Sequence, residues 1–183
     1  MNILNKRSFK ETQSRILILG EINEENTNNV IADILDINDI DKKIKREKRE
    51  PIQLILSSGG GEIYRGLGLI DVILNSETPI HTICYGLAMS MAFIILVAGH
   101  NRTISKRSTL MYHEGGFDLG IVKLTGHKFE LNELERIEKI CDNLVLERTK
   151  INIRQLKHIK KQQKEWYIKP DEALKLGIVD KII

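Results

Sequence analysis

Cysteine, proline, long apolar runs and an excess of charge of either sign are all scarce in this chain, and each scarcity removes a class of protein. The two cysteines, Cys84 and Cys141, stand far apart with no CxxC pair and no Cys/His cluster. That excludes a zinc site and a disulfide framework and leaves two buried thiols in a reducing compartment. Three prolines and 13 glycines in 183 residues argue against a collagen-like or disordered chain. The longest apolar run, Met89 to Gly99, is about half of the roughly 20 residues that span a bilayer. Met1 to Arg15 is polar and has no signal-peptide core. A cytoplasmic protein with no membrane partner is therefore expected. The net charge of +3, from 28 basic and 25 acidic residues, is too small and too mixed to suggest nucleic acid. No P-loop, GxGxxG, HExxH or metal-spaced histidine set occurs, so no metal or cofactor is implied.

What remains is a chain of one-domain length, 42% apolar, able to bury a core. Met1 to Ser14 has no hydrophobic period and reads as a flexible N-terminal arm, with a single domain over 15–183. Arg15 to Gly20 predicts a buried strand, and Asn26 to Asn29 offers caps for a helix carrying Val30, Ile31, Ile34 and Leu35. Asp41 to Glu50 is charge-rich and is expected to be a solvated helix end or loop. Gln53 to Ser57 predicts a strand, Gly59 to Gly61 a turn and Tyr64 to Leu74 a helix. A further strand, Ile80 to Tyr85, leads through a turn at Gly86 to Met91 into the apolar segment Ala92 to Ala98. Thr109 to His113 is another strand. This alternation makes the fold class α/β, with crossovers beside a parallel sheet. From Phe129 to Arg148 apolar residues recur every three or four positions, which predicts one long amphipathic helix that lies on its own sheet or projects toward another subunit. Leu156 to Gln163 adds a basic helical stretch, Asp171 to Gly177 a short helix, and Ile178-Val179 the start of a last strand.

Chemistry concentrates at three places. Ser90 stands where a strand meets a very apolar helix, a setting that suits a nucleophile near helix N-terminal amides and equally suits an N-cap. The triple glycine Gly59 to Gly61 leaves backbone N–H groups unscreened, as oxyanion stabilisation demands, and is also an ordinary tight-turn sequence. His113 ends a neighbouring strand just before Gly115-Gly116, where an imidazole can accept a proton from Ser90. Order and spacing together carry more than any one of these.

At these residues the sequence resembles the ClpP family, the proteolytic subunit of the Clp protease. Leu56-Ser-Ser-Gly-Gly-Gly61 matches I-N-S-P-G-G, Gly86-Leu-Ala-Met-Ser-Met91 matches G-x-A-x-S-M, and Leu110-Met-Tyr-His113 matches the strand ending M-I-H. Glu172 to Asp180 matches E-A-x-x-Y-G-L-[IV]-D, and the similarity runs from about Arg15 to the C-terminus. The resemblance implies a ClpP/crotonase-like fold of repeated β-β-α units with a projecting handle helix. It implies Ser90 as nucleophile, His113 as general base, and the Gly61 and Met91 amides as oxyanion hole. Counting back from Ala173 puts Glu165 at the family's aspartate position, with Asp171 as the fallback acid.

The implied activity is serine endopeptidase action on unfolded polypeptides inside a homo-oligomer of two stacked heptameric rings, fed by an ATP-dependent Clp unfoldase. Departures bear on this. Glu replaces Asp in the triad, Gly59 replaces the proline of S-P-G-G, and His113-Glu114-Gly115 replaces H-Q-P. Arg148-Thr149-Lys150-Ile151 replaces H-T-G-Q, and the segment from Gly116 to Thr149 is a few residues longer than usual. Alternatives are a catalytically impaired ring subunit and a phage-type maturation protease acting without an unfoldase. A crotonase-like acyl-CoA enzyme would have no need of a serine and histidine at these positions.

Overall fold

The computed structural model describes residues 14–113, 124–162 and 165–183. The expected N-terminal arm, Ser14 excepted, and the glycines after His113 lie outside these residues. Strand β1 (Ile16–Leu19) pairs in parallel with β2 (Ile52–Ser58), and β2 with β3 (Ile80–Met89). Helix α1 (Glu24–Asp41) connects the first two strands and α2 (Ile63–Asn75) the next two, so both connections are helical crossovers. Asn23 starts α1, accepting from the Asn26 N–H at 2.9 Å, with Glu24 and Glu25 in the first turn. The cap thus falls three residues before the asparagine run that suggested it.

The ten-residue strand β3 changes partner along its length. His81 to Cys84 pair in parallel with β4 (Asn101–Ile104), and Leu87 to Met89 pair in parallel with β5 (Thr109–Tyr112). The switch occurs at Gly86, whose φ of +80° glycine adopts without steric cost, and whose N–H is taken by Ser108 Oγ. The turn expected at Gly86 to Met91 is therefore mostly strand, because β5 offers its amides partners, and only Ser90 turns. Strand β6 (Trp166–Ile168) runs antiparallel to β5, and β7 (Lys181–Ile182) completes the sheet beside β4. The last strand begins three residues later than Ile178, because Ile178 and Val179 close the preceding helical turn through bonds to the Ala173 carbonyl.

Helix α3 (Met91–Ala98) is buried over all eight residues. It packs with Leu19, Leu54, Leu56, Leu69 and Ile73 as the centre of the core, each such side chain contributing about 1.5–3 kcal/mol. Of its C-terminal carbonyls, which no helical N–H can reach, that of Leu96 accepts from the Thr82 hydroxyl at 2.8 Å and that of Val97 from Arg148. The guanidinium donates to Val97 O at 2.8 Å and to Gly99 O at 2.7 Å. Arg148 ends the long helix α4 (Leu124–Arg148), whose 25 residues extend roughly 37 Å. Val145 and Ile137 of α4 are buried, whereas Phe129 and Leu131 are 75% and 51% exposed. The first half of the helix thus carries apolar side chains away from its own core, as a projecting handle does. Two short helices, α5 (Ile153–Lys161) and α6 (Pro170–Lys175), follow it.

The charged stretch departs from expectation at its first residue. Asp41 is fully buried, held by the Arg15 guanidinium at 2.6 and 2.9 Å and by the Thr78 hydroxyl at 2.7 Å. These bonds hold its carboxyl below the usual range against the opposing effect of burial. Lys42 to Lys48 form the expected solvated segment, a helix end and one 3₁₀ turn at Arg46–Lys48, whereas the Arg49 side chain is buried and donates to Ile44 O and Glu77.

Candidate active site

Ser90 joins β3 to α3 in a single residue. Its φ of 53° and ψ of −125° make it the one non-glycine with positive φ among the described residues. Such a conformation is strained and persists only where the surroundings impose it. Here the Ser90 N–H donates to Met111 O at 2.9 Å and the buried helix fixes the other side. The elbow places Ser90 in the cleft that Gly61, Met91 and His113 also line. Ser90 makes no side-chain cap to its helix, so the N-cap reading of this serine does not hold.

His113 follows β5 directly. Because Met89 and Met111 are register partners, the two chains leave the sheet side by side, and His113 Nε2 comes to 2.7 Å from Ser90 Oγ. This is the contact a serine and its general base require.

The triple glycine packs against the elbow. A Cβ on Gly60, whose φ is +110°, would sit 2.8 Å from Ser90 Cβ, and one on Gly61 would sit 2.2 Å from Ile22 O. Both positions therefore demand glycine. Gly59 has open space around it and owes its identity to no contact here. The loop is pinned by Ile22 N–H to Gly60 O (3.0 Å), Glu62 N–H to Ile22 O (2.8 Å) and Gly60 N–H to Ser58 Oγ (3.1 Å). Among the described residues no acceptor takes the Gly61 N–H. The Met91 N–H, in the first turn of α3, has no intrahelical acceptor. Both amides border the cleft that holds Ser90 and His113.

Glu165 lies one residue before β6. The antiparallel register pairs Leu110 with Ile168, Met111 with Tyr167 and Tyr112 with Trp166; extended by one pair, it sets Glu165 across from His113, on the same face. The carboxylate, however, is exposed and accepts from the Tyr167 hydroxyl at 2.6 Å. Among the described residues no hydrogen bond joins Glu165 to His113. The fallback Asp171 is exposed in the first turn of α6 and makes no such bond either.

The cleft, about 130 Å³, is lined by Gly61, Ile63, Met91, Ile94 and Tyr112 and by Leu134, Ile137, Glu138 and Cys141 of α4. That is below the 300–1,000 Å³ of pockets for drug-sized ligands and suits a single side chain. The long helix thus supplies a wall of the site, which reading it as a projecting element missed. The signal was present: positions 134, 137, 138 and 141 fall at i, i+3, i+4 and i+7 on one face. Burial pushes the thiols of both Cys141 and Cys84 up to about 11. Cys141 is half-buried in this wall, not fully buried as expected.

A sequence model of the Clp protease covers residues 4–183. The chain belongs to the Clp protease family. Among curated relatives, an ATP-dependent Clp protease proteolytic subunit of Deinococcus radiodurans is 30% identical over 138 residues, 73% of this chain and 65% of that protein. Proteolytic subunit 1 of Prochlorococcus marinus MIT 9312 is 28% identical over 176 residues, covering 93% of this chain and 85% of the relative. Proteolytic subunit 2 of Synechococcus sp. CC9605 is 26% identical over an equal span, 93% and 84%. As a Clp protease family member the chain is an enzyme, a ClpP-like peptide hydrolase, and its α/β sheet with six helices among the described residues is consistent with the ClpP fold. Identities below one third over nearly the whole length mark it as a divergent member. None of its described helices is long and apolar enough to cross a membrane.

Proposed function

We propose that this Clp protease family member is a serine endopeptidase acting on unfolded polypeptides and peptides. Ser90 attacks the scissile carbonyl while its hydroxyl proton passes to His113 Nε2. The developing oxyanion takes the Gly61 and Met91 amides, donors worth about 10²–10³ in rate each when aimed at the tetrahedral intermediate. His113 then gives its proton to the leaving amine, and water, deprotonated by His113 in turn, releases the acyl group from Ser90. The observation that carries this reading is the 2.7 Å contact between Ser90 Oγ and His113 Nε2 at a strained elbow flanked by two unclaimed amides.

Glu165 is assigned the orienting role, holding the tautomer of His113 and stabilising its imidazolium. Its cross-strand position supports the assignment, and its carboxylate must leave Tyr167 to reach Nδ1. The bond to Tyr167 is also the one observation that favours the second reading, a ring subunit with an impaired triad. The enclosing chamber of stacked heptameric rings and the ATP-dependent Clp unfoldase belong to the same proposal, supported by the family and by relatives named as subunits of an ATP-dependent protease. The exposed apolar residues Phe129 and Leu131 on the projecting half of α4 suit burial against another subunit.

Hydrolysis of a fluorogenic peptide and of an unfolded model protein by the assembled chain tests the reading. Wild type should cleave both and Ser90→Ala neither. An assembled wild type that cleaves neither contradicts the peptidase proposal in favour of the impaired subunit.

A further inference from the structure

The strand that delivers His113 ends in Tyr112, where the family pattern M-I-H has an apolar residue. Tyr112 is buried, its ring tilted against Phe93 of α3 with centroids 5.5 Å apart. Its hydroxyl donates to Asp142 Oδ1 on α4. Lys160 Nζ of α5 holds the other carboxylate oxygen at 2.6 Å and approaches Glu138 at 3.6 Å. Asp142 and Lys160 are each only 17% exposed, so this bridge is largely shielded from water. One side chain therefore connects the helix that begins at the elbow, the strand end before His113 and the helix that walls the cleft. Near the cleft α4 is also held by buried Ile137, by Cys141 and Leu144 packed against the core, and by the Tyr64 hydroxyl donating to Glu133 at 3.0 Å, but Tyr112 is its hydrogen-bonded tie to the strand that ends before His113.

We propose that Tyr112 is a positioning residue, whose hydroxyl, bound to Asp142, fixes α4 and the His113 strand end in the mutual register that the Ser90–His113 pair and its side-chain cleft require. The inference rests on the peptidase reading above. Without the hydroxyl, α4 loses this tie to the end of β5, and displacements near 1 Å cost about 10²-fold where reacting groups must align. The Lys160–Asp142 bridge survives loss of the hydroxyl, so a smaller effect, about tenfold, is expected for Tyr112→Phe. The same slackening of Leu134 and Ile137 reduces discrimination between substrate side chains next to the scissile bond.

The test is active-site labelling with a fluorophosphonate on the assembled protein, reading the labelled fraction and the rate per labelled site separately, with peptide kcat/KM across a set of side chains. Tyr112→Phe, which keeps the ring against Phe93, should label to full stoichiometry about tenfold more slowly and narrow the spread of kcat/KM values. Asp142→Asn retains an acceptor for the hydroxyl and should label within about threefold of wild type, whereas Asp142→Leu, which also removes the Lys160 bridge, should label at least as slowly as Tyr112→Phe. A Tyr112→Phe/Asp142→Leu double variant should be no slower than Asp142→Leu alone, because that substitution already removes the bond to the Tyr112 hydroxyl. A merely structural role would lower the labelled fraction and leave the rate per site unchanged. A wild-type rate per site in Tyr112→Phe, at any labelled fraction, overturns the proposal. Absence of labelling at Ser90 in wild type instead overturns the peptidase reading on which it stands.

Discussion

The two sides of the cleft are built in opposite ways. On the Ser90 side, position is set by backbone and burial: a strained elbow, a helix buried at all eight residues, and glycines whose Cβ atoms would collide with Ser90 or Ile22. On the Glu165 side, position rests on an exposed carboxylate held by Tyr167, just before a three-residue strand, and on a long helix that packs at only part of its length. The first side is complete within one subunit. The second is not: under the proposed function the Glu165 carboxylate must still leave Tyr167 to reach His113.

The largest effect that tests this contrast comes from Glu165→Gln. If Glu165 reaches His113 during turnover, kcat should fall by about 10⁴ with assembly unchanged, as tautomer control is lost. Unchanged kcat in peptide assays would leave the acid side without a role for Glu165. Next, Gly60→Ala attacks the rigid side, placing a Cβ at positive φ against Ser90. Fluorophosphonate labelling should slow by about 10²-fold, with a loss of roughly 2 kcal/mol in denaturant unfolding. A comparable loss of rate from Gly59→Ala, where space is open, would show that the glycines act through flexibility alone.

A third change leaves the cleft intact and tests the frame. Asp41→Asn removes a buried charge from Arg15, which should cost about 2–4 kcal/mol in urea unfolding at neutral pH. The sign of the pH dependence follows from the depressed carboxyl of Asp41. Its stabilisation is complete above the unfolded value near pH 4 and is lost as pH falls through the lower folded value. The acid limb of stability should therefore be shallower in Asp41→Asn than in wild type. The smallest effect concerns the cleft's own thiol. With Cys141 pushed up to about 11, iodoacetamide at pH 7.5 should leave peptidase activity nearly unchanged, because the thiolate is scarce. Rapid inactivation mapped to Cys141 would mean that the α4 wall opens readily.

The contrast also explains what could be read from the amino acids alone. Strands β2, β3 and β5, the buried α3, and the convergence of Ser90 and His113 were legible because short apolar runs and glycines encode them locally. Three features were not. Residues Gly86 to Met89 looked like a turn, since their strand character depends on β5, a partner distant in sequence. Asp41 looked like part of a solvated charge run, because its partners Arg15 and Thr78 lie 26 and 37 residues away. Tyr112 falls within the strand expected over Thr109 to His113, and only the approach of α4 gives its hydroxyl an acceptor. The count that identified Glu165 located the residue by sequence offset. Whether its carboxylate turns to His113 is set by side-chain competition with Tyr167, which no periodicity records.

The central claim is that Ser90 is a nucleophile activated by His113, and mapping of the fluorophosphonate adduct by peptide mass tests it most directly. A single adduct on Ser90 is expected in the assembled wild type, abolished in Ser90→Ala and slowed by orders of magnitude in His113→Ala. An adduct on another residue, or labelling of Ser90 at an undiminished rate without His113, would contradict it.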